Sequence, residues 1–163
     1  QAGFMLFAVY NVTSYATEGL LLYITVYSLA SIGVFAVLVK MKDHSFEAFN
    51  GLAKQDPLLA FLMTVFLLSL AVIPLTGGFF AKFYMLNAAY AGGVSIAMIV
   101  IAILFAAISV YYYFKIIQAM YFVEGTPSIK EIPFGYKYKL IVIAAIIILL
   151  GVMPSYLFNY LYF

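Results

Sequence analysis

The chain has 163 residues, of which 67% are hydrophobic and 9% charged, and its net charge is +2 with every positive charge from lysine. Soluble domains carry about 25% charged residues, so the composition excludes that class and implies an all-α, polytopic transmembrane helix bundle. With no cysteine the chain offers no disulfide, thiolate metal site or iron–sulfur ligand, and so weak and dispersed a positive charge excludes nucleic acid as a partner.

The chain opens at Gln1 inside an apolar run, and residues 1–12 are too short to cross a bilayer. They read as the end of a span, so the sequence is expected to be the C-terminal part of a longer protein. Asn11, Thr13, Ser14 and Thr17 mark a short loop, with Glu18 placed to open the next helix, where an acid favours the helix dipole. A full span is expected over 19–41. Tyr23, Tyr27 and Ser31 fall at i, i+4 and i+8 on one face of it. That stripe reads either as the lining of a wet path or as ordinary interhelix hydrogen bonding beside small residues.

An aqueous loop follows over 42–56, in which Phe46, Phe49 and Leu52 at helical spacing suggest a short helix lying at the interface. It holds the single histidine, His44, which has no second ligand for a metal and reads as solvated or as a proton-entry group.

The stretch from Pro57 to Ala91 is 35 residues, about 52 Å as one helix against a hydrocarbon core of about 30 Å. It is interrupted by Pro74, Gly77 and Gly78, so the helix is expected to break near 74–78. Irregular backbone at that depth is tolerated only where protein or a water-filled cavity shelters it, and broken helices of this sort serve ion sites in transporters. Further spans are expected over 94–122 and 137–157, separated by a second aqueous loop over 123–136. The long span carries Tyr111, Lys115 and Gln118 on one face. Lys40, Lys42 and Lys54 precede the broken helix and Lys130, Lys137 and Lys139 follow the next span, whereas 91–93 and the tail carry no lysine. The positive-inside rule then makes both lysine-bearing loops cytoplasmic and puts the C terminus outside.

Two lysines lie within apolar spans. Lys82 is ten residues from Gly92, about 15 Å along a helix and beyond the reach of a snorkelling side chain. Burial disfavours an ammonium, which suits a group that takes up and releases protons; the alternative is a permanently charged lysine paired with an acid. No acid occurs between Asp56 and Glu124, so such a partner must come from another segment or chain. Lys115 is seven residues from Phe122, near enough to the headgroups that snorkelling and a proton-path role are equally good readings.

The runs LSLAVIPLTGGFFAKF and YYYFK, within GLAKQDPLLAFLMTVFLLSLAVIPLTGGFFAKFYML and SVYYYFKIIQAMYF, resemble the antiporter-like membrane subunits of respiratory complex I, the N-type most closely. The resemblance implies a 14-helix antiporter-like fold, of which this chain would be the end of helix ten and helices eleven to fourteen, with helix twelve discontinuous. It implies that Lys82 is the lysine of the broken helix that serves the proton path. Lysine there favours the N-type over the M-type, which usually has glutamate, while the L-type usually has a longer C-terminal extension. It implies a bacterial inner-membrane location and no cofactor in this chain; NADH, FMN, iron–sulfur clusters and quinone would belong to other subunits. The implied partners are the lipid bilayer, the neighbouring M-, K- and J-type subunits and the lateral helix of the L-type. One departure stands out: the family usually reads AGIP or SGIP where this chain has Ala71, Val72, Ile73 and Pro74, which suggests a change in packing. Two alternatives remain, a subunit of a multisubunit cation/proton antiporter or membrane-bound hydrogenase, and a non-conducting scaffold.

Overall fold

The computed structural model describes residues 2–10 and 14–154. A 3-10 turn over Ala2–Phe4 leads into α1 (Met5–Tyr10), then α2 (Ser14–Leu38), a 3-10 turn over Glu47–Phe49, α3 (Leu52–Gln55), α4 (Pro57–Leu70), α5 (Gly77–Ala91), α6 (Ile96–Phe122) and α7 (Phe134–Val152). Of these, α2, α6 and α7 are long and apolar enough to cross a membrane. At 14 and 15 residues α4 and α5 are each about 21–23 Å long, so neither crosses alone.

Several boundaries differ from the sequence reading. The second helix opens at Ser14, so Thr17 and Glu18 lie inside it, and it ends at Leu38. Asn11, Thr13 and the aromatic tail fall outside the described residues. The last helix begins at Phe134 and stops at Val152, ahead of Pro154. The short helix expected at the interface is instead two pieces, divided at Gly51, whose φ of 73° ends one turn and starts the next. Its apolar residues Phe49 and Leu52 are buried in the core and do not float at the membrane surface.

The break spans 71–76, earlier than expected, with Gly77 and Gly78 already helical. The backbone closes α4 with two bonds, Val72 N–H to Ser69 O (3.3 Å) and Ile73 N–H to Leu68 O (3.1 Å). That pair defines a Schellman closure with Val72 at the left-handed position usually given to glycine, and its φ is 66°. Pro74 follows and cannot continue a helix. Leu75, also left-handed at φ 78°, turns the chain before Thr76. The Thr76 side chain bonds back to Ile73 O (2.8 Å), while its own carbonyl accepts from Phe79 N–H (3.1 Å) to begin α5. The Ala71–Val72 departure therefore acts on backbone conformation, not on packing.

This break divides the core. One cluster gathers the second half of α2 with α3, α4, the end of α6 and α7 as far as Ile147; it includes Phe49, Leu59, Met63 and Phe66. The other gathers α1, the first half of α2 and α5 around Leu22, Tyr23, Val26 and Met85. Thus α2 runs past both halves of the broken helix. Beyond the first cluster the two lysine-bearing loops meet by backbone bonds, Lys42 N–H to Ser128 O (2.8 Å) and Lys130 N–H to Lys40 O (2.9 Å), so they occupy one end of the bundle.

Candidate functional site

The junction between α4 and α5 is built by a glycine. A Cβ on Gly78 would come within 1.9 Å of the Ser69 carbonyl oxygen, so only glycine lets the first turn of α5 lie on the last turn of α4. Gly77, also buried, lies against Val26 of α2. Four residues after Gly78, on the same helical face, comes Lys82.

Lys82 is 5% exposed, and its ammonium has no hydrogen-bond acceptor among the described residues. Nζ stands over the Phe4 ring at 4.9 Å from the centroid, an attraction worth about 2 kcal/mol or more when desolvated. That contact offsets part of the burial cost and provides no proton acceptor. Lys82 also forms a wall shared by two spaces. On the α2 side is a cavity of about 10 Å³ bounded by Tyr23, Tyr27, Ser69 and Gly78. On the α6 side is a much larger apolar cavity of about 280 Å³, bounded by Phe4, Val72, Phe79 and Val110 among others.

The two tyrosines named from the sequence are therefore at the lysine. Tyr23 is buried, its ring stacked on that of Tyr27 at 5.9 Å between centroids. Tyr27 also borders an open groove along α2 that includes Ser28, Ser31 and Tyr136 and reaches toward the lysine-bearing loops. Pro74 lies exposed in the break, away from the ammonium cavities.

The remaining candidates lie elsewhere. Lys115 and Gln118 are exposed at the loop end of α6, beside Phe46 and Glu47, and the Lys115 ammonium sits over the Phe46 ring at 4.4 Å. Lys115 is therefore not a second buried lysine. His44 is exposed in the loop, where its N–H donates to Asp43 Oδ1 (2.7 Å) and Ser45 Oγ donates to Oδ2 (2.6 Å). The Ser45 bonds chiefly, with that from His44, hold the Asp43 carboxyl below its ordinary range. Among the described residues no three His, Asp or Glu side chains converge as a metal site requires.

Sequence reasoning missed Ser69 and Phe4. Ser69 is the one hydroxyl in the last turn of α4, but it stands thirteen residues from Lys82, and only the fold back at the break brings the two to one cavity. Phe4 reads as one more apolar residue until the 3-10 turn that carries it packs beside α5.

Residues 1–109 match the family described as NADH:quinone oxidoreductase/Mrp antiporter, transmembrane. The chain is 40% identical over 162 residues to NADH-quinone oxidoreductase subunit N of Cytophaga hutchinsonii, covering 96% of this chain and 35% of that one. It is 39% identical over 160 residues to subunit N of Flavobacterium psychrophilum, covering 95% and 34%. The chain thus spans about a third of the length of these relatives. Its fold superposes on a chain of respiratory complex I from Thermus thermophilus, solved with bound aureothin, with a TM-score of 0.84 at 28% identity, covering 94% of this chain and 36% of that one. The matched residues carry the break, Lys82 and the α2 tyrosines together, and the chain belongs to the NADH:quinone oxidoreductase/Mrp antiporter transmembrane family.

Proposed function

We infer that this chain is part of a proton-translocating membrane subunit of an NADH:quinone oxidoreductase, and that Lys82 takes up and releases protons within it. The observation that carries this reading is the environment of Lys82: an ammonium buried at the start of a half-helix, against two cavities, with no carboxylate bonded to it among the described residues. A scaffold would gain nothing from an unpaired buried charge, since a hydrophobic residue of like volume is as good or better for packing. A relay needs a group whose charged and neutral forms are close in free energy, and desolvation without a fixed counter-charge brings an amine toward that balance.

Tyr23 and Tyr27 line the path on the α2 side. Lys115, Gln118 and His44 are left out, because they stand in the loop-end aqueous region. The paired lysine-bearing loops face the cytoplasm of a bacterial inner membrane and the C terminus faces outward, in keeping with the positive-inside rule. NADH, flavin, iron–sulfur clusters and quinone belong to other subunits, and the M-, K- and J-type subunits and the lateral helix of the L-type are the neighbours.

The decisive variant is Lys82→Met in the full-length subunit, with proton pumping measured in membrane vesicles and assembly checked on the same sample. The relay reading expects assembled complex without pumping; assembled complex that pumps normally would exclude it. A second reading, a subunit of a multisubunit cation/proton antiporter, is favoured by the family description, which joins both classes. Sodium-dependent proton exchange in vesicles lacking NADH:quinone activity would select it.

A further inference from the structure

The last helix lies on the break with no side chain between their backbones. A Cβ on Gly151 of α7 would stand 2.5 Å from the Leu75 carbonyl oxygen, 2.5 Å from the Thr76 carbonyl carbon and 2.6 Å from Thr76 Cα, all backbone atoms that no side-chain rotation can clear. From this contact we propose that Gly151 is a positioning residue for Lys82: its bare backbone lets α7 fix the Leu75–Thr76 peptide, and with it the point and angle at which α5 starts.

That peptide needs a neighbour to hold it. Leu75 is left-handed at φ 78° and its side chain is 74% exposed, so leucine keeps a disfavoured conformation with little packing of its own. Strained backbone persists where the surrounding structure over-determines it, and α7 supplies that surrounding here. Thr76 is buried, but its hydroxyl bonds back to Ile73 O and caps no N–H of α5. The first turn of α5 therefore takes its place from packing. Gly78 lies on the last turn of α4, Gly77 lies between Val26 of α2 and the Ile147 carbonyl of α7, and Gly151 lies on the break itself. Leu150, the neighbour of Gly151, is buried in the same cluster as Val26, Ala81 and Met85, so α7 bears on the turn that carries the lysine as well.

Lys82 comes six residues after Thr76, about 9 Å along the helix. A displacement of Thr76 reaches it, because a helix is a rigid element over so short a length. Its ammonium has no hydrogen-bond acceptor among the described residues, so its position follows the course of α5 and the contact with Phe4. The placement of α5 by α7 stands on the close approach at Gly151; its effect on proton movement rests on the relay reading of Lys82.

The test compares assembled complexes whose full-length subunit is wild type, Gly151→Ala or Gly135→Ala, by proton pumping per assembled complex in membrane vesicles, heat dissociation in detergent and a cryo-EM map. Gly135 is on the same helix with open space where its Cβ would be, so Gly135→Ala makes the same chemical change without the contact and is expected to match the wild type. Gly151→Ala is expected to move the first turn of α5 and the lysine with it, and to pump roughly tenfold or more slowly, within the loss that a misplacement of about 1 Å can bring. A residue needed only for packing would lower the dissociation temperature and leave pumping per assembled complex unchanged; that result, or a Lys82 unmoved in the Gly151→Ala map, would overturn the positioning role. If Gly151→Ala does not assemble, pumping is read in Gly151→Ala combined with Leu75→Gly, whose freer backbone lets the peptide give way. Slow pumping there supports the proposal and wild-type pumping overturns it. Normal pumping in Lys82→Met would overturn the relay reading alone, leaving the shift of α5 in the Gly151→Ala map as independent evidence for its placement by α7.

Discussion

The two halves of the broken helix are alike in length and unlike in design. The first, α4, is buried on nearly all sides by Leu59, Ala60, Leu62, Met63, Val65, Phe66 and Leu67, as a helix apolar all round should be. Its entrance is fixed twice, since Asp56 Oδ1 accepts from Leu59 N–H (3.2 Å) as an N-cap and the other oxygen, Oδ2, binds the half-buried Lys137 ammonium of α7. The second, α5, buries Gly77, Gly78, Lys82 and small or flexible residues, and no side chain caps its first turn. One half is therefore an anchor and the other carries a charge. The break lets them coexist in one membrane crossing, because the second half can be placed by its crossing with α4 without extending α4's own face.

That contrast can be broken most severely at the junction. Gly78→Val puts a branched side chain where even a Cβ would lie 1.9 Å from the Ser69 carbonyl. Overpacking typically costs about 1–3 kcal/mol and more when backbone must move, so assembled complex should be lost, as read by native gel of solubilised membranes. Normal amounts of assembled Gly78→Val complex would mean the half-helices do not cross this closely. Removing the anchor should do less. Asp56→Ala deletes both the cap and the partner of Lys137, an expected loss of about 1–3 kcal/mol from the N-cap and the half-buried pair together, measurable as earlier heat dissociation of the subunit in detergent.

Val72→Gly sharpens the comparison in the opposite direction. A left-handed conformation costs a residue with a side chain about 1–2 kcal/mol, so glycine at φ 66° should raise heat stability modestly while leaving pumping intact. A loss of stability would show that the Schellman closure is not the conformation of the break. The smallest effect is expected at Lys54 and Glu124, an exposed ion pair at 2.9 Å. The hydrogen bond from Lys54, and then its charge, hold the Glu124 carboxyl below its ordinary range. Any stabilisation is present above the unfolded carboxyl's value and lost as pH falls through the depressed one. With both side chains largely in water, Lys54→Ala should leave heat dissociation unchanged at every pH between 4 and 8.

The legible parts of this molecule were those set by hydropathy and length. An apolar stretch of 35 residues with Pro74 and two glycines has to break, and a lysine ten residues from Gly92 was expected to turn away from lipid, where the fold buries it. Tyr23 and Tyr27 were legible as one face, though only the packing of α2 on α5 turns that face toward the lysine. The start of the break was not legible, because it depends on Val72 taking a conformation that its branched side chain disfavours. Ser69 was not legible either, since it borders the same cavity as Lys82 only because the chain folds back at the break. Lys115 illustrates the opposite limit: its spacing with Tyr111 and Gln118 gave a real face, but that face ends beside Phe46 at the loop end.

The central claim is that Lys82 works by exchanging a proton and not by being charged. It is tested most directly by Lys82→Arg in the full-length subunit, with proton pumping measured in membrane vesicles whose complex is shown to be assembled. Arginine keeps the positive charge and the attraction to Phe4 but does not release its proton. The account predicts assembled complex in which pumping is lost. Assembled complex that pumps at the wild-type rate would contradict it and leave Lys82 as a structural charge.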